Sequence, residues 1–305
     1  MMAATTATDD AVSAEDLALA GAAVAAMHDE LKAYPKPGLV SPVDSGSHDD
    51  MDFALMCRSA DSLLRPFASL AAAGRQALSF DGSLAPLGVE AERQMLHATG
   101  GVNTHRGAIF SIGLVVASIA RTRSAAMPVS PEAIQTTLRR EWGTALEAHA
   151  SGGDAASHGA LVRKKIGASG ARGEAARGFP SLFQVGVPAY REALASGLEA
   201  NAANVHTLFA LMETVDDTTV LYRGGTEAGL FVRRSAAEFL AAGGCRDAGW
   251  FERAERLHRT FVARNLSPGG CADLLAATLL VVRNSIFRPA IFERHGCPGT
   301  GASAA

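Results

Sequence analysis

Apolar residues return along this chain at helical spacing far more often than in strand alternation. Ser-Ala-Glu-Asp at 13–16 reads as a capping box ahead of the Ala/Leu-rich stretch 17–31. The same periodicity predicts helices over 14–33, 47–73, 88–98, 104–124, 131–149, 155–167, 188–199, 202–215, 226–241, 247–264 and 269–287. Ser130-Pro131-Glu132 marks one start, with a cap followed by proline at the first helical position, and Ser267-Pro268 marks another. Only 218–222 has the β-branched and aromatic content of a strand, and it is too short to build a sheet. No fixed period repeats, which argues against a solenoid. The expectation is an all-α fold, one compact domain of about ten helices over 13–290, with a disordered N-terminus (1–12) and a flexible C-terminal tail (291–305).

Composition supports that picture. With 305 residues, 48% of them hydrophobic, the chain can bury a large core, and 6% aromatics with abundant Ala and Leu favour close helix–helix contact. A formal net charge of -3 argues against a nucleic-acid partner or an anionic membrane surface, so any polyanion must be held by a local cluster. Cys57, Cys245, Cys271 and Cys297 are far apart and form no metal or redox motif, which reads as reduced thiols in the cytoplasm. No Lys or Arg precedes Lys32, so the N-terminus does not read as a secretory signal. The longest apolar run, 107–120, is shorter than the ~18 residues that span a bilayer and reads as a buried helix.

Nearly all unusual residue combinations fall in five glycine-rich connectors, 35–52, 100–107, 157–180, 216–225 and 267–273, which suggests one composite site on a helical scaffold. In the first, two prolines hold Lys36 on a stiff extended segment, and Ser47 is placed to cap the next helix with Asp49 and Asp50 in its first turn. Capping explains one or two of these acids. Asp49, Asp50 and Asp52 beside His48 exceed that need, and carboxylates suit Mg²⁺ bridged to phosphates. In the second, Gly100 to Gly107 leads into the apolar helix, where backbone amides with His105 and Arg106 could bind an anion, or simply cap a helix. In the third, the triplet 163–165 reads as a solvated face, whereas Arg172 and Arg177 among glycines could wrap a polyphosphate. The fourth holds Asp216 and Asp217, one of which could be only a cap. In the fifth, Gly269 and Gly270 at a helix start allow close backbone approach, and Asp273 one turn on faces an apolar helix, where a carboxylate is usually paired or liganded.

Six segments together resemble the triphosphoribosyl-dephospho-coenzyme A synthase family: PKPGLV at 35–40, SGSHDDMD at 45–52, GVNTHRGAIF at 101–110, GARGEAARGFP at 170–180, DDTTVLYRGG at 216–225 and SPGGCADLLA at 267–276. LVSPVDSGSHDDMD looks closer to the malonate-decarboxylase branch than to the citrate-lyase branch. Family members often have Asn and His where this chain has Thr219 and Tyr222. The resemblance implies transfer of the triphosphoribosyl group of ATP to the 2′-oxygen of 3′-dephospho-CoA. Adenine leaves, and the product is the prosthetic-group precursor of an acyl-carrier subunit. The downstream prosthetic-group transferase or that carrier is then a candidate contact, and a homodimer is compatible with the sequence.

Displacing adenine should pass through an oxocarbenium-like state. On this reading Asp49, Asp50, Asp217 and Asp273 supply Mg²⁺ ligands for the triphosphate. Lys36, Arg172 and Arg223, with Asn103, Arg106, Gly224, Gly269 and Gly270, bind substrate. Glu174, Asp52, His48 or His105 acts as base. An α-linked product from a β-linked donor implies inversion by single displacement. The competing readings are a Mg²⁺-dependent nucleotide N-glycosyl hydrolase and a non-enzymatic helical scaffold of a decarboxylase complex.

Overall fold

The computed structural model describes residues 12–152 and 170–286, and these are helical with no strand. The expected helix over 155–167 and both expected disordered ends lie essentially outside the described residues. Helix α1 (Ala14–Lys32) starts as the capping box requires, with the Ser13 side chain accepting from Asp16 N and the Asp16 side chain accepting from Ser13 N. Asp16 is also paired with Arg75 at 2.8 Å, which ties α1 to α3 (Leu64–Arg75). Ser130 caps α6 (Pro131–Ser151) through Ala133 N, again as expected.

The single helix expected over 47–73 is two. Residues 33–52 form an irregular loop, α2 (Phe53–Ser62) follows it, and the chain bends at Leu63 before α3. Pro66 lacks the N–H that a continuous helix would direct at Ser62, so the break falls where that bond would be. Asp52, not Ser47, caps α2, accepting from Leu55 N at 2.7 Å.

A π turn (Phe80–Leu84) leads into α4 (Ala85–Ala98). Gly100 and Gly101 end α4 rather than begin the next helix. Both adopt positive φ (67° and 96°), and Gly101 N donates back to Leu96 O. Helix α5 (Arg106–Ser124) then passes through the centre of the molecule, with Ile112, Val115, Val116 and Ile119 fully buried. Gly74 of α3 lies against the backbone of Ala117, a closeness that a side chain at 74 would forbid.

The expected glycine–arginine loop at 170–180 is in part a short helix, α7 (Gly170–Ala176). A second π turn (Ser181–Gly186) feeds α8 (Val187–Ala195), followed by α9 (Ala200–Thr214). Residues 218–222, strand-like in composition, are the first turn of α10 (Thr218–Ala241), because Asp217 supplies an N-cap that outweighs β propensity. Gly225 (φ 67°, ψ −163°) interrupts α10, so the second part begins at 226, the start expected for a separate helix. Helices α11 (Trp250–Ala263) and α12 (Gly269–Asn284) complete the chain, and α12 packs beside α1 and α5 with Leu275, Ala277, Leu279 and Leu280 fully buried. Among the described residues no helix is long and apolar enough to cross a membrane.

Candidate active site

Helices α5, α10 and α12 point their N-termini at one cavity of about 860 Å³, and the 33–52 loop and α7 close its sides. Residues from all five sequence-distant connectors line it. Close backbone packing makes this possible. A Cβ on Gly38 would collide with Leu266 O, and one on Gly46 would sit 2.6 Å from Gly38 O. Ser47 Oγ donates to Leu266 O at 2.7 Å, and so is engaged in docking two loops instead of capping a helix. Arg223 fastens the same junction, donating from Nη1 to Ser47 O (2.7 Å) and to Asn265 Oδ1 (2.8 Å). Its Nη2 donates to His48 Nδ1 at 3.3 Å. That leaves His48 Nε2 carrying the proton, which it donates to Ser267 Oγ at 2.9 Å. Burial, and then Arg223, push the His48 imidazole below its ordinary range, consistent with a neutral ring.

Asp217 is buried at the meeting of α10 and α12. One carboxylate oxygen accepts from Thr219 N (2.9 Å) and Val220 N (3.3 Å), and the other accepts from Cys271 N (2.9 Å). Gly270 leaves space for it, since a Cβ there would stand 3.1 Å from Asp217 Oδ2. Burial raises the Asp217 carboxyl and these three amides lower it again in part. Its neighbour Asp216 points outward to Arg233 at 2.9 Å.

Deeper in the cavity, Lys36 Nζ donates to Glu30 Oε1 (2.6 Å) and Glu30 O (2.7 Å), a buried ion pair. His105 Nδ1 lies 2.7 Å from Ser59 Oγ, which in turn lies 2.6 Å from Thr104 Oγ1. Burial, and then the nearby charges of His28 and Lys36, hold His105 down at about 3. Asp273, half-buried on α12, lines the same space with no hydrogen bond or ion pair to any described residue.

The structure brings His48, His105, Glu174, Lys36, Asn103, Arg106, Arg172, Arg223, Gly269, Gly270, Asp50, Asp217 and Asp273 to the cavity wall. It leaves out three. Asp52 caps α2, Asp49 is exposed, and Gly224 packs against Ala228 and Leu266. The four aspartates expected as Mg²⁺ ligands do not form a ligand set: among the described residues no three His, Cys, Asp or Glu side chains are grouped to hold a metal. The reason lies in Asp217, whose oxygens serve backbone amides, and in Asp49 and Asp50, which sit out at the solvent edge. Two base candidates are also committed. Glu174 accepts from Ser181 N (3.0 Å) and pairs with Arg177 (3.2 Å), while His105 Nδ1 is hydrogen-bonded to Ser59 Oγ (2.7 Å). The cations are partly engaged as well. Arg106 pairs with Glu92 at 2.9 Å, and Arg172 Nη1 reaches Gly152 O at 3.4 Å.

Sequence reading missed Glu30, although an acid within the apolar face 19, 20, 23, 26, 27 and 31 of α1 was the available signal. It also missed a ring cluster on one wall, where His149 stacks on Phe110 (centroids 6.0 Å apart) and meets Phe80 edge-on at 5.2 Å. These residues sit on three separate elements, so no local pattern links them.

The family model described as "CitG: ATP:dephospho-CoA triphosphoribosyl transferase" matches residues 16–286. The chain belongs to this family. It is 40% identical over 267 residues to the "Probable 2-(5''-triphosphoribosyl)-3'-dephosphocoenzyme-A synthase" of Azotobacter vinelandii, covering 86% of this chain and 89% of that one. It is 37% identical over 258 residues to the protein of the same name from Acinetobacter calcoaceticus (85% and 88% covered). The "2-(5''-triphosphoribosyl)-3'-dephosphocoenzyme-A synthase" of Klebsiella pneumoniae is 38% identical over 269 residues (87% and 94% covered). As a triphosphoribosyl-dephospho-CoA synthase, the chain is a transferase, and its family reaction takes nucleotide substrates.

Proposed function

We propose that this synthase transfers the 5-triphosphoribosyl group of ATP to the 2′-hydroxyl of 3′-dephospho-CoA, releasing adenine and making the prosthetic-group precursor of an acyl carrier of the malonate-decarboxylase type. One observation carries the reading: three helix N-termini and five distant connectors share a single cavity. The positive ends of helix dipoles favour an anion there without a phosphate-binding sequence motif, with the Asp217 carboxylate already taking the Thr219, Val220 and Cys271 amides of α10 and α12. At the α5 N-terminus His105 makes no side-chain cap and Asn103 Oδ1 accepts from Arg106 N at 3.3 Å, so the anion-favouring end of that helix is only partly engaged. Arg172, Arg177 and Arg223 add positive charge along the wall. At about 860 Å³ the cavity is in the range that holds ligands of nucleotide size. Its ring-lined wall, with Leu84 and Leu114 nearby, suits the apolar parts of a coenzyme or a purine.

Magnesium fits only as an ion carried in by the triphosphate. Mg²⁺ keeps several waters and needs one or two protein carboxylates when phosphates supply the rest. Asp50 at the cavity mouth meets that need, and the ion would supply charge neutralisation for the phosphates. His48, Arg223 and Ser267 hold the loop that presents Asp50. Lys36 offsets the Glu30 charge and adds little free positive charge for phosphate.

Transfer by single displacement inverts the anomeric carbon: the acceptor oxygen bonds to C1′ as the bond to adenine breaks. Both substrates are cytoplasmic nucleotides, and we place the reaction there. The test is to incubate purified protein with ATP, Mg²⁺ and dephospho-CoA and to measure adenine and the adduct by chromatography and mass spectrometry. Both should appear in equal amounts. Adenine release at the same rate without dephospho-CoA would assign a nucleotide hydrolase instead.

A further inference from the structure

Moving a ribosyl group onto a hydroxyl requires a group to take the hydroxyl proton, and most acids and imidazoles in this cavity are otherwise engaged. His149 is packed against the Phe80 and Phe110 rings, and burial, then Arg172, push its imidazole down. His48 uses both ring nitrogens, one toward Arg223 and one toward Ser267. His105 is held at about 3, which leaves little driving force for accepting a proton. Glu30 pairs with Lys36, Glu92 with Arg106, Glu174 with Arg177 and Ser181 N, and Asp216 with Arg233. Asp217 is bound by three amides, and Asp50 is exposed at the mouth.

Asp273 differs from all of these. It lines the cavity, and no described residue hydrogen-bonds or ion-pairs with it. A notch in the packing accommodates it. Gly107, at the start of α5, faces its Oδ2 so closely that a Cβ at 107 would collide with that oxygen. A carboxylate half-buried without a partner is costly to keep, and the position gives it a free oxygen beside Gly107 in the first turn of α5.

We propose, on the basis of the transferase reading above, that Asp273 is the catalytic general base that activates the acceptor hydroxyl. The hydroxyl O–H bond breaks and its proton passes to the Asp273 carboxylate. The oxygen lone pair forms the bond to C1′, and the electron pair of the C1′–N bond leaves with adenine. Adenine gains one proton overall, so returning the proton through solvent to the purine restores the carboxylate. Burial, and then the charges of Glu30 on α1 and Asp217 at the head of α10, push Asp273 well above the ordinary carboxylate range. A carboxylate raised in this direction is a stronger proton acceptor than an ordinary one.

Asp273→Asn keeps the shape of the side chain and removes its basicity. It should lower kcat about 10²–10⁴-fold, with an unchanged circular-dichroism spectrum and unchanged ATP binding by calorimetry. The acid limb of the wild-type kcat/KM profile should disappear in the variant. Gly107→Ala, which displaces the carboxylate, should lower kcat in the same direction. Three results would overturn the proposal: kcat within about threefold of wild type, an acid limb that persists, or a kcat restored by raising Mg²⁺, which would make Asp273 a ligand. A wild-type protein that forms no adduct would instead sink the transferase reading on which the proposal rests.

Discussion

Lys36 Nζ lies 2.6 Å from Glu30 Oε1, and both side chains are almost completely buried beneath the cavity. Desolvation pulls the lysine down and pushes the glutamate up, while the mutual attraction opposes both. Removing one partner leaves a buried charge uncompensated, so Glu30→Gln should cost about 3–5 kcal/mol in denaturant unfolding. The double change Glu30→Gln with Lys36→Met should recover much of that loss. If the double variant is no more stable than the single one, the pair is not the source of the effect.

Asp217 joins two helices through one carboxylate. Asp217→Ala removes the cap of α10 and the acceptor for Cys271 N, so it should destabilise by more than the ~1 kcal/mol of an ordinary cap. Asp217→Asn retains one acceptor oxygen and should fall between alanine and wild type in thermal unfolding. Equal losses for the two variants would count against the double-cap role.

His105 carries a pH signature. Its folded value of about 3 lies below the ordinary ~6.5, so the unfolded chain takes up the proton first. Its contribution to stability is therefore complete above about pH 6.5 and is lost progressively as pH falls toward 3. His105→Asn should flatten the stability–pH curve across that window. It should leave the curve above pH 7 parallel to wild type, as measured by urea unfolding at a series of pH values.

The buried thiols should be silent. Burial raises Cys245 to about 12, and burial, then Asp217, raise Cys271 well above the usual thiol range. Native-state alkylation at pH 8, mapped by mass spectrometry, should modify Cys57 well before either. Rapid modification of Cys271 would mean that the α10–α12 junction opens in solution.

Much of the helix pattern could be read locally. Ser13 and Ser130 cap the helices whose starts they mark, because such a cap is made with amides two or three residues away. The same logic failed where two polar residues competed for one role. Ser47 and Asp52 both could have capped the next helix, and the choice fell to Asp52 because Ser47 binds Leu266 O, over two hundred positions later. The acids were correctly gathered in neighbouring loops, but whether each one caps, pairs or stands free depends on partners that local spacing does not reveal.

From its order of residues alone, this chain is all-α, bears its reactive side chains in glycine-rich connectors, and resembles one transferase family. Those properties follow from short-range periodicity, backbone freedom and motif identity. The tertiary structure alone decided that Asp217 is used up by three amides, that Lys36 is matched by Glu30, and that Asp273 stands free beside Gly107. A carboxylate's chemistry is set by which dipoles and charges lie within a few ångströms, and here folding brings those neighbours from distant parts of the chain.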